Sequence, residues 1–414
     1  MSIRINTEGI SVPIVNEEGL VLVIFKHARE VADPAVGEII RINSVAELSE
    51  NFKGAGDDPT IAEFKELYSA EYLLKSGVSL LCYSTATAGT VVSGDIDKIK
   101  DQEEFNYKLI VMPYEFVSYD LSTTTTTYPA LVAAMVATMA NNVNAELFLD
   151  LEPFVDADEV VGLKADIDEL PSSKISLCVN SGFTGYPTDL TIPSGISIDT
   201  SRISTANTYV GATDYVGIPA SLAIVARKSF LLNQGIPWLP VAGETTGIVE
   251  EFSSLFRRIF TVEKETFQES NINVLLNRRG VGNLFVSQNT MADNTDTTNP
   301  LVRGHVVTEA LWIKEILFTV ANTVRYLANN QKAWDLVSLK LKSIFESTKN
   351  SGGIESYKIN VGKDITMTEE DIAEGKLIVN VSYLPIRVIE EITFNVIIKA
   401  QSDDTVISIQ GGDL

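Results

Sequence analysis

Short, almost wholly apolar runs recur through the first 180 residues, and helical patterns separate them. Residues 19–25 (GLVLVIF), 78–84 (VSLLCYS), 108–114 (KLIVMPY), 146–152 (ELFLDLE) and 175–182 (ISLCVNSG) are such runs. An apolar stretch of this length between turn signals reads as a buried strand. EIIRI, residues 38–42, adds a second early strand, and Ser44 with Glu47 three residues on forms a capping box for the helix that follows. In residues 61–77, Ile61, Phe64, Leu67, Tyr68 and Leu74 recur at helical spacing and Gly77 sits where a carboxy-terminal cap belongs. Strand, strand, helix, strand in this order predicts an α/β layer rather than separate modules.

The pattern continues through a threonine-rich connection at 122–127, a helix at 128–143, an acidic helical stretch at 155–170 and a Gly/Pro/Ser/Thr-rich loop at 183–213. A helix follows at 221–232, and then a rigid, turn-rich connection at 236–247, where two prolines flank Trp238. Everything up to this point reads as one α/β domain of about 250 residues. The last third has a different texture. Two long helices are expected, at 305–329 and 331–349, broken by Asn329 and Asn330 and closed by Gly352 and Gly353. YKINVG, KLIVNVSYL and EITFNVIIKA then alternate with the period of half-exposed strands, and TVISIQ is a last short strand pattern.

With 414 residues, 45% of them apolar, the chain has material for two or three domains. A net charge of −23 argues against wrapping nucleic acid or adhering to anionic membrane, both of which need a basic face. The longest strongly apolar stretch, residues 20–25, is far too short to span a bilayer, and MSIRINTEGI lacks the basic and apolar regions of a secretory signal. The expectation is a protein made and kept in a cytoplasm, with Cys82 and Cys178 as buried free thiols.

Enzyme chemistry finds little footing. The two histidines, His27 and His305, lie in unrelated contexts, and no HExxH, GxSxG or GxxxxGK[ST] pattern occurs. GVGNLF at Gly280 holds two of the three glycines of a dinucleotide loop but leads into a strand pattern. Adjacent carboxylates (Glu250 and Glu251, Glu369 and Glu370, Glu390 and Glu391) are ordinary in a chain with 55 acidic residues. No catalytic residue, metal or cofactor is expected; the competing reading is an acidic cytosolic α/β enzyme of unknown substrate.

Four segments, in order, resemble the contractile tail sheath proteins of bacteriophage tails and related contractile injection machines. The first is EGLVLVIF through GEIIRINSVAELSENFKG to AEYLLKSGVSLLCYS; the second is ATDYVGIPASLAIVARKSFLLNQGIPWLPVAGETTG, with Trp238, Ala242 and Gly243 on a family turn. The third is SNINVLLNRRGVGNLFVSQNTM, carried by Ile272, Asn273, Gly280, Gly282 and Thr290. The fourth covers the two helices, the Gly352–Gly353 turn, EDIAEGKLIVNV and the passage from Pro385 to ITFNVII. The sequence departs from the family in lacking its Pro-Gly-Val-Tyr start.

The resemblance implies an α/β (α+β) architecture: an amino-terminal arm (1–16), an outer mixed α/β domain (17–267), an inner carboxy-terminal α+β domain (268–400) and a carboxy-terminal arm (401–414). It implies six-subunit rings stacked helically around a tail tube, within a virion assembled in the host cytoplasm. The partners are copies of the chain itself, a tail tube protein, and baseplate and tail terminator proteins, with neither nucleic acid nor stable membrane insertion. Ile3, Ile5, Ile10 and Val12 at one end, and Thr405, Val406, Ile407 and Ile409 at the other, lack an obvious local partner and are the expected strands for exchange between subunits. A carboxy-terminal helix touches the tube in the family. The matching helix puts Trp334, Val337, Leu341, Ile344 and Phe345 on a core face, with Lys332, Lys342 and Lys349 opposite as the expected tube contact, beside Asp335 and Glu346. Residues 301–350 carry seven Lys and Arg against four Asp and Glu, a local charge of +3 (7 − 4) that favours an acidic tube surface.

Overall fold

A computed structural model describes residues 19–30, 38–53, 59–85, 93–100, 106–120, 125–127, 129–139, 143–152, 159, 173–184, 188–193, 216–292, 298–388, 395–399 and 406–410. The expected amino-terminal arm, with Ile3, Ile5, Ile10 and Val12, lies outside the described residues, as do Thr405 and nearly all of the expected acidic helix at 155–170.

Eight strands form the main sheet: β1 (Val21–Phe25), β2 (Ile39–Ile42), β3 (Leu80–Ser84), β4 (Leu109–Val111), β5 (Glu146–Asp150), β6 (Ile175–Val179), β7 (Ile272–Arg278) and β8 (Gly282–Phe285), in the order β8-β7-β6-β5-β4-β1-β3-β2. The six inner strands run parallel; Val21 stands opposite Leu80 on one side and Leu109 on the other. Only the edge strands β2 and β8 are antiparallel to their neighbours. Five of the inner strands, β1, β3, β4, β5 and β6, are buried at every position, the burial expected of a sheet covered on both faces.

Alternate residues of the strands feed two cores. On one face Val21, Val23, Phe25, Leu80 and Cys82 pack against α1 (Ile61–Lys75), through Phe64 and Leu67, and against α3 (Ala220–Asn233), through Leu222 and Ala223. On the other, Leu22, Ile24, Leu81 and Ile110 meet Leu131 and Met135 of α2 (Ala130–Met139) and Phe267 of α4 (Thr261–Glu269). Each such side chain, fully buried, contributes roughly 1.5–3 kcal/mol. Thr60 starts α1 with a capping box that includes Glu63, worth about 1 kcal/mol. Both cysteines are buried free thiols whose pKa burial raises, so neither is a reactive nucleophile.

β7 and β8 differ from the expected domain boundary at residue 268. They form a hairpin on the main sheet, turned at Gly280 (φ 84°), so the Gly-x-Gly motif is a turn between strands rather than a nucleotide loop. The chain leaves the sheet layer only at α5 (Gly304–Val324). Nothing local to Gln268 could show this, because parallel pairing with β6 is a contact across almost 100 residues.

A second lobe completes the described chain. α5 and α6 (Gln331–Asn350) form a helical hairpin; on one side of it lies a two-stranded antiparallel sheet of β9 (Ile354–Val361) and β10 (Val379–Pro385). The helix expected at 305–329 stops at Val324, because Tyr326 takes a positive φ of 68° and the Asn329 side chain is used elsewhere: it accepts from Trp334 Nε1 (2.7 Å) and donates to the Lys376 carbonyl (2.8 Å). Within the threonine run, Thr125–Thr127 is a strand paired with Ser118–Asp120. Residues 236–247 hold a one-turn helix, Gly243–Thr246. Finally, β11 (Asn395–Lys399) and β12 (Val406–Gln410) pair with each other as a separate antiparallel hairpin.

Candidate assembly surface

α6 is amphipathic by construction. Asn330 caps it, accepting from the Lys332 and Ala333 amides, and Trp334, Val337, Leu341 and Phe345 recur every three or four residues. That stripe is buried. Val337, Leu341 and Phe345 pack with Ile313, Ile316, Val320 and Val324 of α5, and the Phe345 ring lies 5.4 Å from Tyr357 of β9 and 6.2 Å from Tyr383 of β10.

Lys332, Lys342 and Lys349 all stand exposed on α6. Lys342 and Lys349, seven residues apart, share a face, whereas Lys332 lies roughly 80° round the axis and near the other end. Lys340, not singled out from sequence, turns toward α5 and donates to Thr323 Oγ1 (2.9 Å). Sequence reading also missed exposed apolar side chains on the same hairpin: Phe318 (62% exposed) on α5 and Leu339 (59%) on α6. Their signal was present, since both fall off the apolar stripe of their helix, where a Leu or Phe has no core to fill.

The β9–β10 sheet is unfinished. Along β10, residues alternate between half-buried (Val379, Val381, Tyr383) and exposed (Asn380, Ser382, Leu384). The inward set rests on α5 and α6, yet none of these three is fully buried, and no third strand pairs with either edge among the described residues. Unpaired edges present a row of free N–H and C=O groups to an incoming strand. Of the expected exchange residues, Val406, Ile407 and Ile409 lie on β12 and are paired in the same chain, opposite Lys399, Ile398 and Val396.

Two seams tie this lobe to the main sheet. Lys228 of α3 is buried and reaches Glu146 of β5 at 2.6 Å and the Gly304 carbonyl at the start of α5 at 3.1 Å; Thr308 of α5 donates to the same carboxylate at 2.6 Å. At the far end the Trp238 and Trp312 rings meet edge to face at 5.9 Å. Gly353 presses so closely on Trp238 that an added Cβ would stand 2.7 Å from the ring.

The perturbed titratable groups serve the fold. Glu66 is pushed up to about 7 by burial while its carboxylate accepts the amides of Lys26, His27 and Ala28. Asp150 is likewise pushed up to about 7 by burial, opposed by hydrogen bonds from Ser221. Burial pushes Glu309 up to about 8 and, with Lys228 and Arg303, His305 down to about 4. A cavity of about 470 Å³ opens beside the start of α5, lined by Asn271, Asn289, Arg303, His305 and Arg387 among others, with no carboxylate among its described lining residues. No acid/base pair faces it, and no group of three metal-ligating side chains occurs among the described residues. No described helix is long and apolar enough to cross a membrane.

Residues 312–399 match the family model of the phage tail sheath C-terminal domain. The match begins inside α5, where the chain leaves the main sheet. Likeness to solved structures extends over nearly the whole chain. The anti-feeding prophage baseplate structure contains a chain with TM-score 0.65 and 16% identity, covering 93% of this chain and 94% of that one. A sheath complex of an extracellular contractile injection system, PVC, in the contracted state gives TM-score 0.61 and 17% identity over 93% and 92%. The sheath tail protein of Desulfitobacterium hafniense gives 0.53 and 11% over 93% and 100%. The chain has the contractile sheath fold. No curated protein sequence matches it. The matched residues 312–399 take in most of the α5–α6 hairpin and the whole β9–β10 sheet.

Proposed function

We propose that the chain is a structural subunit of a contractile sheath, polymerising as helically stacked six-membered rings around a tail tube, and that it has no catalytic role. One observation carries this reading: the segment that matches the sheath C-terminal domain is a two-stranded sheet with both edges unpaired among the described residues, seated on a helical hairpin. Such a sheet is completed by strand addition from another copy, which joins subunits through backbone hydrogen bonds. Ile3, Ile5, Ile10 and Val12 of the amino-terminal arm supply a strand for this sheet, and Thr405, Val406, Ile407 and Ile409 of the carboxy-terminal arm are the strand exchanged between neighbouring copies. Head-to-tail contacts of this kind do not close on themselves and so build a helical filament.

Lys332, Lys342 and Lys349 with exposed Leu339 and Phe318 form the surface offered to a tube protein, while baseplate and terminator proteins cap the ends. The particle is a phage tail or an injection device assembled in a host cytoplasm. Contraction is a rigid-body rearrangement of subunits that keeps the arm connections while outer contacts change. The test is assembly. Purified chain at high concentration forms long hollow cylinders by negative stain, and a truncation lacking residues 405–414 stays folded and unassembled. Small discrete particles from the full chain under all conditions, or normal cylinders from the truncation, would overturn it.

A further inference from the structure

The carboxy-terminal strand has a partner before any second copy arrives. β12 lies antiparallel on β11, with five residue pairs from Asn395 opposite Gln410 to Lys399 opposite Val406. Among the described residues this hairpin is a sheet to itself, joined to neither β9–β10 nor the main sheet. An isolated two-stranded hairpin is marginal in water, so a ladder of this size can open and re-form. The six residues between the strands, AQSDDT, contain neither Gly nor Pro, and fully extended they reach roughly 20 Å. That is more than a tight turn uses and enough to carry β12 away from β11.

One edge of β11 cannot pair with β12 of its own chain and with β12 of a neighbour at once. We propose that the β11–β12 hairpin is a self-capped form of the carboxy-terminal arm: the free subunit occupies its own acceptor edge, and joining the polymer requires β12 to leave that edge and be replaced by β12 of a second copy. The inference rests on strand exchange between copies and adds what holds the arm beforehand. Exchange substitutes one ladder for an identical one, so its balance is set by subunit concentration and by the further surface each copy buries against its neighbour, and its rate by opening of the closed hairpin. A subunit whose β11 edge is filled by its own strand stays monomeric when dilute and keeps that edge from stray pairing.

Ile397 and Ser408 stand directly opposite in this register. The test is the double variant Ile397→Cys/Ser408→Cys, with each single variant as control; native Cys82 and Cys178 are buried and do not compete. Oxidised while dilute, the double variant forms a disulfide within one chain, migrates as a monomer and loses assembly, and reduction restores assembly to the level of the parent. Oxidised after assembly, it gives a ladder of covalent multimers on a non-reducing gel. The idea is overturned if no disulfide forms in dilute protein, if the locked monomer assembles as well as its reduced form, or if polymers yield only intrachain disulfides. The dilute measurement needs no polymer. Failure of the parent chain to form cylinders would therefore count against the sheath reading, whereas cylinders that accept the locked monomer would count against self-capping alone.

Discussion

The main sheet and the β9–β10 sheet are both backed by helices, yet one is covered on both faces and the other on one. Most inner strands of the main sheet are apolar at successive positions and buried throughout, because helices cover both faces. β9 and β10 alternate apolar and polar residues, rest one face on α5 and α6, and among the described residues have no strand on either edge. A sheet that buries everything stabilises its own chain. One that leaves its ladder open is stable only as far as its backing helices make it, and its edges are available to another copy. The contrast separates a part of the molecule that is complete in its own core from a part whose completion we propose comes from another copy.

If the finished layer is the scaffold for the unfinished one, breaking the seam between them carries the largest cost. Lys228→Ala removes the cation that faces buried Glu146 and the start of α5, and leaves the carboxylate without its counter-charge. We expect a loss of about 3–5 kcal/mol in denaturant unfolding. Lys228→Met with Glu146→Leu, which removes both charges, recovers most of it; equal losses in the two variants would mean that packing rather than charge holds the seam.

A smaller effect is expected at Gly353→Ala, where a methyl group meets the Trp238 ring. The expected cost is about 1–3 kcal/mol, with Trp238 fluorescence shifted as the ring is displaced. An unchanged midpoint and spectrum would show that the hairpin turn is not pressed on the scaffold.

The smallest is a change of slope with pH. Burial raises Glu309 to about 8, above its ordinary 4.5, so between those values the folded chain holds a proton that the unfolded chain has lost. This contribution is complete below about pH 4.5 and disappears as pH rises through about 8. Glu66 and Asp150, each raised to about 7, add dependence of the same sign. Glu309→Gln therefore flattens, without abolishing, the fall in unfolding midpoint between pH 5 and 8. An identical slope in the variant would place Glu309 in a wetter setting than its burial indicates.

Much of the fold was legible because its signals are local. The apolar runs at 19–25, 78–84 and 146–152 became β1, β3 and β5, and the three-and-four spacing of Trp334, Val337, Leu341 and Phe345 placed the buried face of α6. Boundaries were read less well where tertiary contacts decide them. Val324 ends α5 because Asn329 is recruited by Trp334 and Lys376, and β7 joins β6 across a gap that no sequence window spans. Of the assembly surface, the lysines of α6 could be read as solvent-facing from helical phase alone. The exposed Phe318 and Leu339 were visible in the same phase but look ordinary without knowledge of which faces are covered.

The sequence by itself determined many strand and helix identities, though not α4, together with the free buried thiols, the lack of a recognisable catalytic motif and the alternating pattern that makes β9 and β10 a one-sided sheet. These follow from the periods of 2 and 3.6 residues and from residue chemistry, which act over a few positions. Only the tertiary structure decided that the chain leaves the main sheet at α5 rather than near residue 268, that Lys228, Glu146 and Thr308 lock the two parts together, and that β12 meets β11 of its own chain. Strand partners and buried ion pairs are chosen by which distant surfaces exclude water together, and that choice is made by the assembled chain, not by any stretch of it.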